Sequence, residues 1–435
     1  MDLVKPARSY YTVHMTLAFF LGHTPALSLA EIHAVCARRG SRIAVQAWTP
    51  EVLLADVEGG EGEEGFFSSL AGVVKIAEMT ARIPRAPTAD DVRALLPPTS
   101  RKIFFGISSS ALQPGARPAP AKKLGFAVKE VLEEEGRSSR LVTSREDTLS
   151  AVVVNTNKLL SERGAEIVIL STRGGAFLGR TVWVQPYDDY AARDMGRPQR
   201  DARAGMLPPK LARMLINLAL GADGSGSARA RTPAGALLDP FCGSGTILQE
   251  ASLMGLHRLI GCDRDGQAIK RTHMNLQWLS SLTPAMRASN FSLTLKCVDV
   301  RTLPAQLGAG TIEVIVTEPS LGPPLTRMAQ PDEARRMREE LHGLYRDALH
   351  ACAQLLAPGG RVVMVWPVWR TPQGNVPMDA EADAAATGLR VVDPLNFAVN
   401  PLPDERHGFW AARRSLLYQR EDQFVMREIR IFEKA

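Results

Sequence analysis

The stretch Leu237-Leu-Asp-Pro-Phe-Cys-Gly-Ser-Gly-Thr246 decides the fold. An apolar run ends in an acid, and Gly243-Ser-Gly245 follows before a helical pattern resumes. This reads as a buried strand, a tight turn and the first residues of a helix. Only glycine lets the backbone turn so sharply and lie directly against a ligand. Outward from this point, strands are expected at Leu237–Pro240, Arg258–Cys262, Ser292–Cys297, Ile312–Thr317 and Arg361–Trp366. Helical patterns such as Gly245–Met254 and Asp332–Leu356 fall between them. Such alternation predicts an α/β domain of Rossmann-like type, a parallel sheet with helices on both faces. The tail (Leu416–Tyr418, a turn at Glu421-Asp422, then Phe424–Ile431) reads as an antiparallel hairpin.

The same stretch selects the ligand. Asp263 ends the second strand, where a carboxylate binds ribose hydroxyls. A dinucleotide would call for G-x-G-x-x-G, and Leu248 stands where the third glycine belongs. No phosphate-binding Walker loop is present either. S-adenosylmethionine fits better. Asp263 meets its ribose, Asp239 and the amides of Gly243, Ser244, Gly245 and Thr246 meet its amino-acid end, and Phe241 completes the cofactor-binding set. Asp299, after the third strand, is placed for the adenine amino group.

Before Tyr190 the pattern is different. A strand at Tyr11–Phe20, a helix capped by Ser28 with Glu31 as its capping-box partner, and a second helix from Ser68 suggest a small α/β unit. Lys5, Arg8 and Met15–Leu21 mimic a secretory leader, but the strand–turn–helix reading accounts for the same residues. Gly59–Gly65 reads as a solvated loop. Strands at Lys102–Ser108, Leu141–Thr143, Ala151–Asn155, Glu166–Thr172 and Phe177–Gln185, with a helix at Leu124–Glu135, make a second α/β unit.

The 435 residues suit roughly three domains, and 45% hydrophobic with 23% charged residues excludes wholesale disorder. Five widely spaced cysteines argue against a disulfide framework and a cysteine zinc site, and favour a reducing cytoplasm. No histidine spacing suggests a metal, and no apolar run is long enough to span a membrane. The net charge of +6 is unevenly spread. Residues 1–190 hold 22 basic and 21 acidic side chains, residues 191–232 hold 8 and 3, and residues 233–435 hold 22 of each. Arg193, Arg197, Arg200, Arg203 and Lys210 in the middle stretch are therefore candidate phosphate contacts of an anionic partner. Asp194 and Asp201 leave open that some of these arginines are neutralised internally or serve the cofactor pocket.

After the fourth strand comes Thr317-Glu-Pro-Ser-Leu-Gly-Pro-Pro324. Glu318 and Pro319 match the first two positions of the Asp/Asn-Pro-Pro-aromatic tetrapeptide of amino-methyltransferases. Arg193–Ala219, Leu238–Glu250 and Phe20–Glu31 resemble blocks of the tRNA guanine-10 N2-methyltransferases, archaeal-type enzymes with eukaryotic relatives. The resemblance implies a ferredoxin-like N-terminal domain over 1–97 and a THUMP-type RNA-binding domain over 98–188. It further implies a basic linker and helix over 189–236 and a methyltransferase domain over 237–435. It implies that the Glu318 carboxylate and the Pro319 carbonyl accept the two N–H bonds of a guanine amine. Ser320 and Leu321 depart from the pattern, so the usual stacking ring is missing. Trp366 and Trp369 are possible substitutes, though a core role suits them better. A tRNA-binding protein with a decayed catalytic loop and an adenine-N6 DNA methyltransferase are the alternatives. One or two methyl additions, and a small activator subunit, remain open.

Overall fold

The computed structural model describes residues 14–59, 63–200, 206–221, 235–282, 291–379, 381–420 and 423–435. The chain forms two compact units. One holds residues 1–20, 39–67 and 74–184, and the other holds 21–38, 68–73 and 185–435.

The first unit is built on one sheet of β1 (His14–Leu21), β2 (Arg42–Trp48), β3 (Val52–Glu58), β4 (Val73–Ile83), β5 (Ile103–Ala111), β6 (Ser139–Val142), β7 (Gly164–Thr172) and β8 (Gly175–Val184). Their order is β2-β3-β1-β4-β8-β7-β5-β6. With α1 (Pro25–Arg38) and α2 (Glu63–Ser69) the chain runs β1-α1-β2-β3-α2-β4. β3 lies between β1 and β2, and β1 lies between β3 and β4, which is the ferredoxin-like split arrangement. α3 (Ala89–Arg93), α4 (Ala121–Glu134) and α5 (Ala151–Thr156) follow. β7 shows why the sheet is buried on both faces. Ile167 and Ile169 join one apolar cluster while Val168 and Leu170 join another, as period-two alternation requires. Inside this unit Lys75 forms a buried ion pair with Glu166, which also accepts from Ser108 and, at 2.5 Å, from Thr181.

β4 pairs with β8, so strands from either side of residue 97 share one sheet. Several expectations are corrected by the structure. α1 groups with the second unit. Ser28 lies inside α1, donating to the Thr24 and Gly72 carbonyls at 3.2 and 2.7 Å, so it is not the cap. Glu31 is fully buried and accepts from the Ala71 and Gly72 amides at 2.9 and 2.7 Å and from Asn217 at 2.7 Å. The expected helix from Ser68 is instead the end of α2 followed by β4, where Val73, Lys75, Ile76 and Ala77 are buried. Ala151–Asn155 is helical despite three valines in a row. Ser150 caps it, its Oγ accepting the Val153 amide. Residues 60–62 of the expected loop and the Glu421-Asp422 turn lie outside the described residues.

The second unit contains α6 (Tyr187–Met195), α7 (Pro209–Leu220), α8 (Thr246–Leu253), α9 (Gly266–Leu282), α10 (Leu303–Leu307), α11 (Pro331–Leu355) and α12 (Glu381–Ala386). Its strands are β9 (Ala236–Asp239), β10 (Arg258–Asp263), β11 (Ser292–Cys297), β12 (Ile312–Thr317), β13 (Leu356–Thr371), β14 (Gly374–Pro377), β15 (Leu389–Val392), β16 (Phe409–Trp410), β17 (Ser415–Tyr418) and β18 (Val425–Lys434). The main order is β11-β10-β9-β12-β13-β18-β17-β16. The first five strands of that order are parallel, and β18 enters antiparallel between β13 and β17. This is the expected Rossmann-like α/β sheet with an antiparallel tail. The strand order reverses between β9 and β12, and ligands in open α/β sheets bind at the carboxyl ends of strands at such a point. Trp366 and Trp369 are 0% exposed within the core beside Leu238, Ile315, Tyr345 and Phe432. Among the described residues no helix is long and apolar enough to cross a membrane.

Candidate functional site

β9 is short and wholly buried, and it delivers Asp239 to the end of the sheet at the switch point. The carboxylate accepts from the Thr317 hydroxyl at 2.8 Å and the Phe241 amide at 3.2 Å. No cation stands among these partners, and burial pushes the Asp239 carboxyl up to about 7 despite both bonds. Gly243 and Gly245 take left-handed conformations, with φ of 52° and 82°. A side chain at Gly245 would bring its Cβ to 2.8 Å from the Thr272 methyl. The turn is braced from α9. Thr272 donates to the Gly243 carbonyl at 3.0 Å, and Asn275 donates to the Ser244 carbonyl at 2.9 Å. Asp263 ties β10 to the same turn, accepting the Gly243 amide at 3.1 Å and the Asp265 amide at 2.9 Å.

A cavity of about 360 Å³ opens over these groups. Asp239, Phe241, Gly243, Ser244, Thr246 and Asp263 line one side, and Glu318, Pro319, Ser320 and Leu321 line the other. The expected catalytic residues and the expected cofactor residues other than Gly245 and Asp299 thus share one space, of a size typical for small-molecule sites. Asp299 opens instead into an adjoining cavity of about 260 Å³, which shares Phe241, Arg264 and Leu344 with the first. It is the N-cap of a short 3₁₀ turn and is gripped by Arg301, with both oxygens at 2.8 Å. That fork and the Arg301 amide hold its carboxyl down to about 2. Four lone-pair positions on a carboxylate leave room for an adenine amine.

The Glu318 segment follows β12. Tyr345 of α11 is buried and donates to the Ser320 carbonyl at 3.0 Å, fixing the backbone beyond Pro319. Arg427 of β18 was not foreseen from the sequence. Its Nε donates to Glu318 Oε2 at 2.6 Å and its Nη2 to Oε1 at 3.3 Å, and the two side chains are 3% and 12% exposed. No local pattern marks it, because 109 residues separate the partners and only the sheet order brings them together. Trp366 and Trp369 are buried in the core and present no face to a base.

The basic stretch divides. Arg197 is 2% exposed and donates to the Thr246 hydroxyl at 2.5 Å, with Asp194 at 3.5 Å. Arg193 pairs with buried Glu250 at 2.6 Å and lies 4.4 Å from the Tyr190 ring centre. Arg213 joins the same Glu250 at 3.2 Å. Both Arg193 and Arg197, expected as phosphate contacts, are thus directed at α8, at Glu250 and Thr246. Arg200 is exposed, and Lys210 is half-buried with its ammonium 5.3 Å from the Tyr190 ring centre. Arg203 lies outside the described residues. Among the described residues no cluster of His, Cys, Asp or Glu is arranged to hold a metal.

Comparison with known proteins adds to this geometry. Residues 197–373 match the family UPF0020, described as an RMKL-like methyltransferase domain. A "tRNA (guanine(10)-N2)-dimethyltransferase" of Methanothermobacter thermautotrophicus is 32% identical over 163 residues, 38% of this chain and 39% of that protein. A protein of the same name from Methanocaldococcus jannaschii is 32% identical over 143 residues, 33% of this chain and 36% of its own. The matched stretch thus spans under two fifths of each of these relatives. TrmN from Thermus thermophilus, a solved structure, is 18% identical and aligns over 97% of this chain and all of its own, with a TM-score of 0.49.

Proposed function

We propose that this protein methylates the exocyclic N2 of a guanosine in tRNA, guanosine 10 by analogy with the named relatives, using S-adenosylmethionine. The observation that carries the reading is the shared cavity, in which the glycine turn and two acids face Glu318 and Pro319. The cofactor, when bound, supplies an electrophilic methyl group. Asp239 suits its ammonium group, and Asp263 its ribose. Asp299 and Phe241 suit its adenine, and Thr246, held by Arg197, fixes the helix that opens the site.

A guanine amine is a poor nucleophile, since its lone pair is delocalised into the ring. Acceptors on both N–H bonds orient the nitrogen and favour the positive charge that develops there. Glu318 is the side-chain acceptor and the Pro319 carbonyl the main-chain one. A base in RNA leaves its stack to reach such a pocket. With Leu321 in the aromatic position and both tryptophans buried, the flipped base meets an aliphatic face.

We assign RNA gripping to residues 98–188 as a THUMP-type region, on the strength of the resemblance alone. Arg200 and Lys210 are the remaining described phosphate contacts of the basic stretch. All five cysteines are free and four are buried, which suits a reducing cytoplasm. The test is transfer of labelled methyl to unmodified tRNA, followed by nucleoside mapping. N2-methylguanosine at position 10 supports the reading. Cofactor binding without transfer to any tRNA excludes it in favour of a decayed tRNA-binding protein, and product on adenine in DNA excludes it in favour of the other alternative.

A further inference from the structure

We propose that Arg427 is a positioning residue that holds the Glu318 carboxylate turned toward the cavity. The inference rests on the methyl-transfer reading and extends the site to the C-terminal hairpin. Residue 427 lies outside the stretch that matches the methyltransferase family.

Topology explains the reach. Glu318 follows β12, and β13 lies between β12 and β18. Arg427 is opposite Pro367 on β13 and Tyr418 on β17. From there its guanidinium crosses over β13 and meets Glu318 with two N–H groups, Nε at 2.6 Å and Nη2 at 3.3 Å. Its third nitrogen, Nη1, donates to Gln423 at 3.2 Å, so the fork is held from behind. Glutamate in place of the usual aspartate supplies the extra methylene that such a pairing uses.

The chemistry favours an anion here. The N2 lone pair forms a bond to the methyl carbon while the sulfur–carbon bond breaks and its electron pair stays on sulfur. Nitrogen then carries positive charge and loses one of its protons to solvent. A carboxylate that accepts an N2–H bond strengthens as that charge grows. A protonated carboxyl would donate instead and withdraw the lone pair.

Asp239 lines the same cavity with only neutral partners, the Thr317 hydroxyl and the Phe241 amide. Glu318 is also largely enclosed, with Asp239 and Tyr345 among the groups around it. Among the described residues Arg427 is the cation paired with it, with Tyr418 beyond. The pair still leaves two of the four lone-pair positions of the carboxylate for substrate.

The experiment compares Arg427→Met and Arg427→Lys with the wild-type chain. The readouts are kcat against pH on tRNA, the cofactor dissociation constant, and the ¹³C titration of the Glu318 carboxyl assigned with Glu318→Gln. For Arg427→Met, kcat should fall on the order of a hundredfold, as for loss of a preorganised electrostatic partner. Cofactor affinity should stay within about twofold, and the acid limb should move to higher pH by about one pH unit or more. Arg427→Lys restores the charge but not the fork, so it should keep the wild-type acid limb with a lower kcat. It also serves if the methionine variant does not fold. An Arg427→Met enzyme with the wild-type pH profile and carboxyl titration overturns the proposal and leaves a merely structural ion pair. The carboxyl titration needs no turnover. A wild-type chain that transfers no methyl therefore defeats the functional reading, while the titration still decides the role of Arg427.

Discussion

Replacing Arg197 with alanine separates two meanings of the basic stretch. As a phosphate contact, Arg197 would act on RNA. The structure instead buries it to 2% exposure and directs it at Thr246, the first residue of α8. Losing a hydrogen bond from a charged group costs about 1.5–3 kcal/mol. The cavity left by the guanidinium adds to that, while relief of its burial subtracts, so a net loss of about 2–3 kcal/mol is expected. At about 2–4 °C per kcal/mol for a unit of this size, the melting temperature should fall by roughly 4–12 °C. Because Thr246 and Ser244 line the cofactor cavity, affinity for a non-reactive cofactor analogue should also fall, by about tenfold for about 1.4 kcal/mol. Scanning calorimetry and titration calorimetry measure the two effects. RNA binding measured across salt concentrations gives the contrast: Arg197→Ala should leave the slope of log affinity against log salt unchanged, whereas exposed Arg200→Ala should reduce it by about one. An Arg197→Ala protein with wild-type melting and analogue affinity, but a shallower salt slope, would refute the assignment of Arg197 to the cofactor turn.

Other outcomes follow from the same structure. Gly245→Ala should abolish measurable cofactor binding, because φ of 82° is strained for any side chain and the new Cβ would meet Thr272 at 2.8 Å; equilibrium dialysis reads it. Asp239 is raised to about 7 in the folded chain from an ordinary 3.8, so the folded state holds its proton longer than the unfolded one. Its contribution to stability therefore falls as pH rises from about 4 to 7 and is constant above. Asp239→Asn should flatten that part of the stability profile in denaturant titrations, with its gain at pH 8 vanishing near pH 4. Lys75→Met should destabilise the first unit by about 3–5 kcal/mol by leaving Glu166 buried and unpaired, and Lys75→Met with Glu166→Gln should recover part of the loss in urea unfolding. Leu321→Tyr should lower KM for tRNA by about fivefold, the lower end of a base–aromatic stack, with kcat changed less.

What could be read from the chain depended on how local each signal was. The glycine turn, the acids at strand ends and the order of strands and helices from β9 to β13 all rest on contiguous residues, and the structure places them as expected. Ala151–Asn155 failed because its three valines favour a strand, while the deciding interaction was a serine cap next to them. Glu31 has the spacing of a capping box, yet its partners are Ala71, Gly72 and Asn217, up to 186 residues away. No window of sequence contains that information. Arg427 was invisible for the same reason.

The charge excess teaches a more general point about reading arginines. Residues 191–232 carry an excess of five positive charges. A count of charges measures composition, and an electrostatic surface depends on where each charge points. Arg193 and Arg213 converge on Glu250, and Arg197 is buried against Thr246 and Asp194, so three of the eight cations face inward. The acids of the site sort in the same way. Asp299 is held by Arg301, Glu318 by Arg427 and Asp263 by backbone amides. Asp239 alone of these four has neither a cation nor two amides, and its raised carboxyl records that lack. A cationic ligand group entering the cavity therefore gains most beside Asp239. Its binding should ionise that carboxyl and release a proton below pH 7, so analogue affinity should rise with pH up to about 7 and then level off. Titration calorimetry in buffers of different ionisation enthalpy would detect the proton. Affinity independent of pH between 5 and 8, with no proton released, would place the ammonium group elsewhere in the cavity.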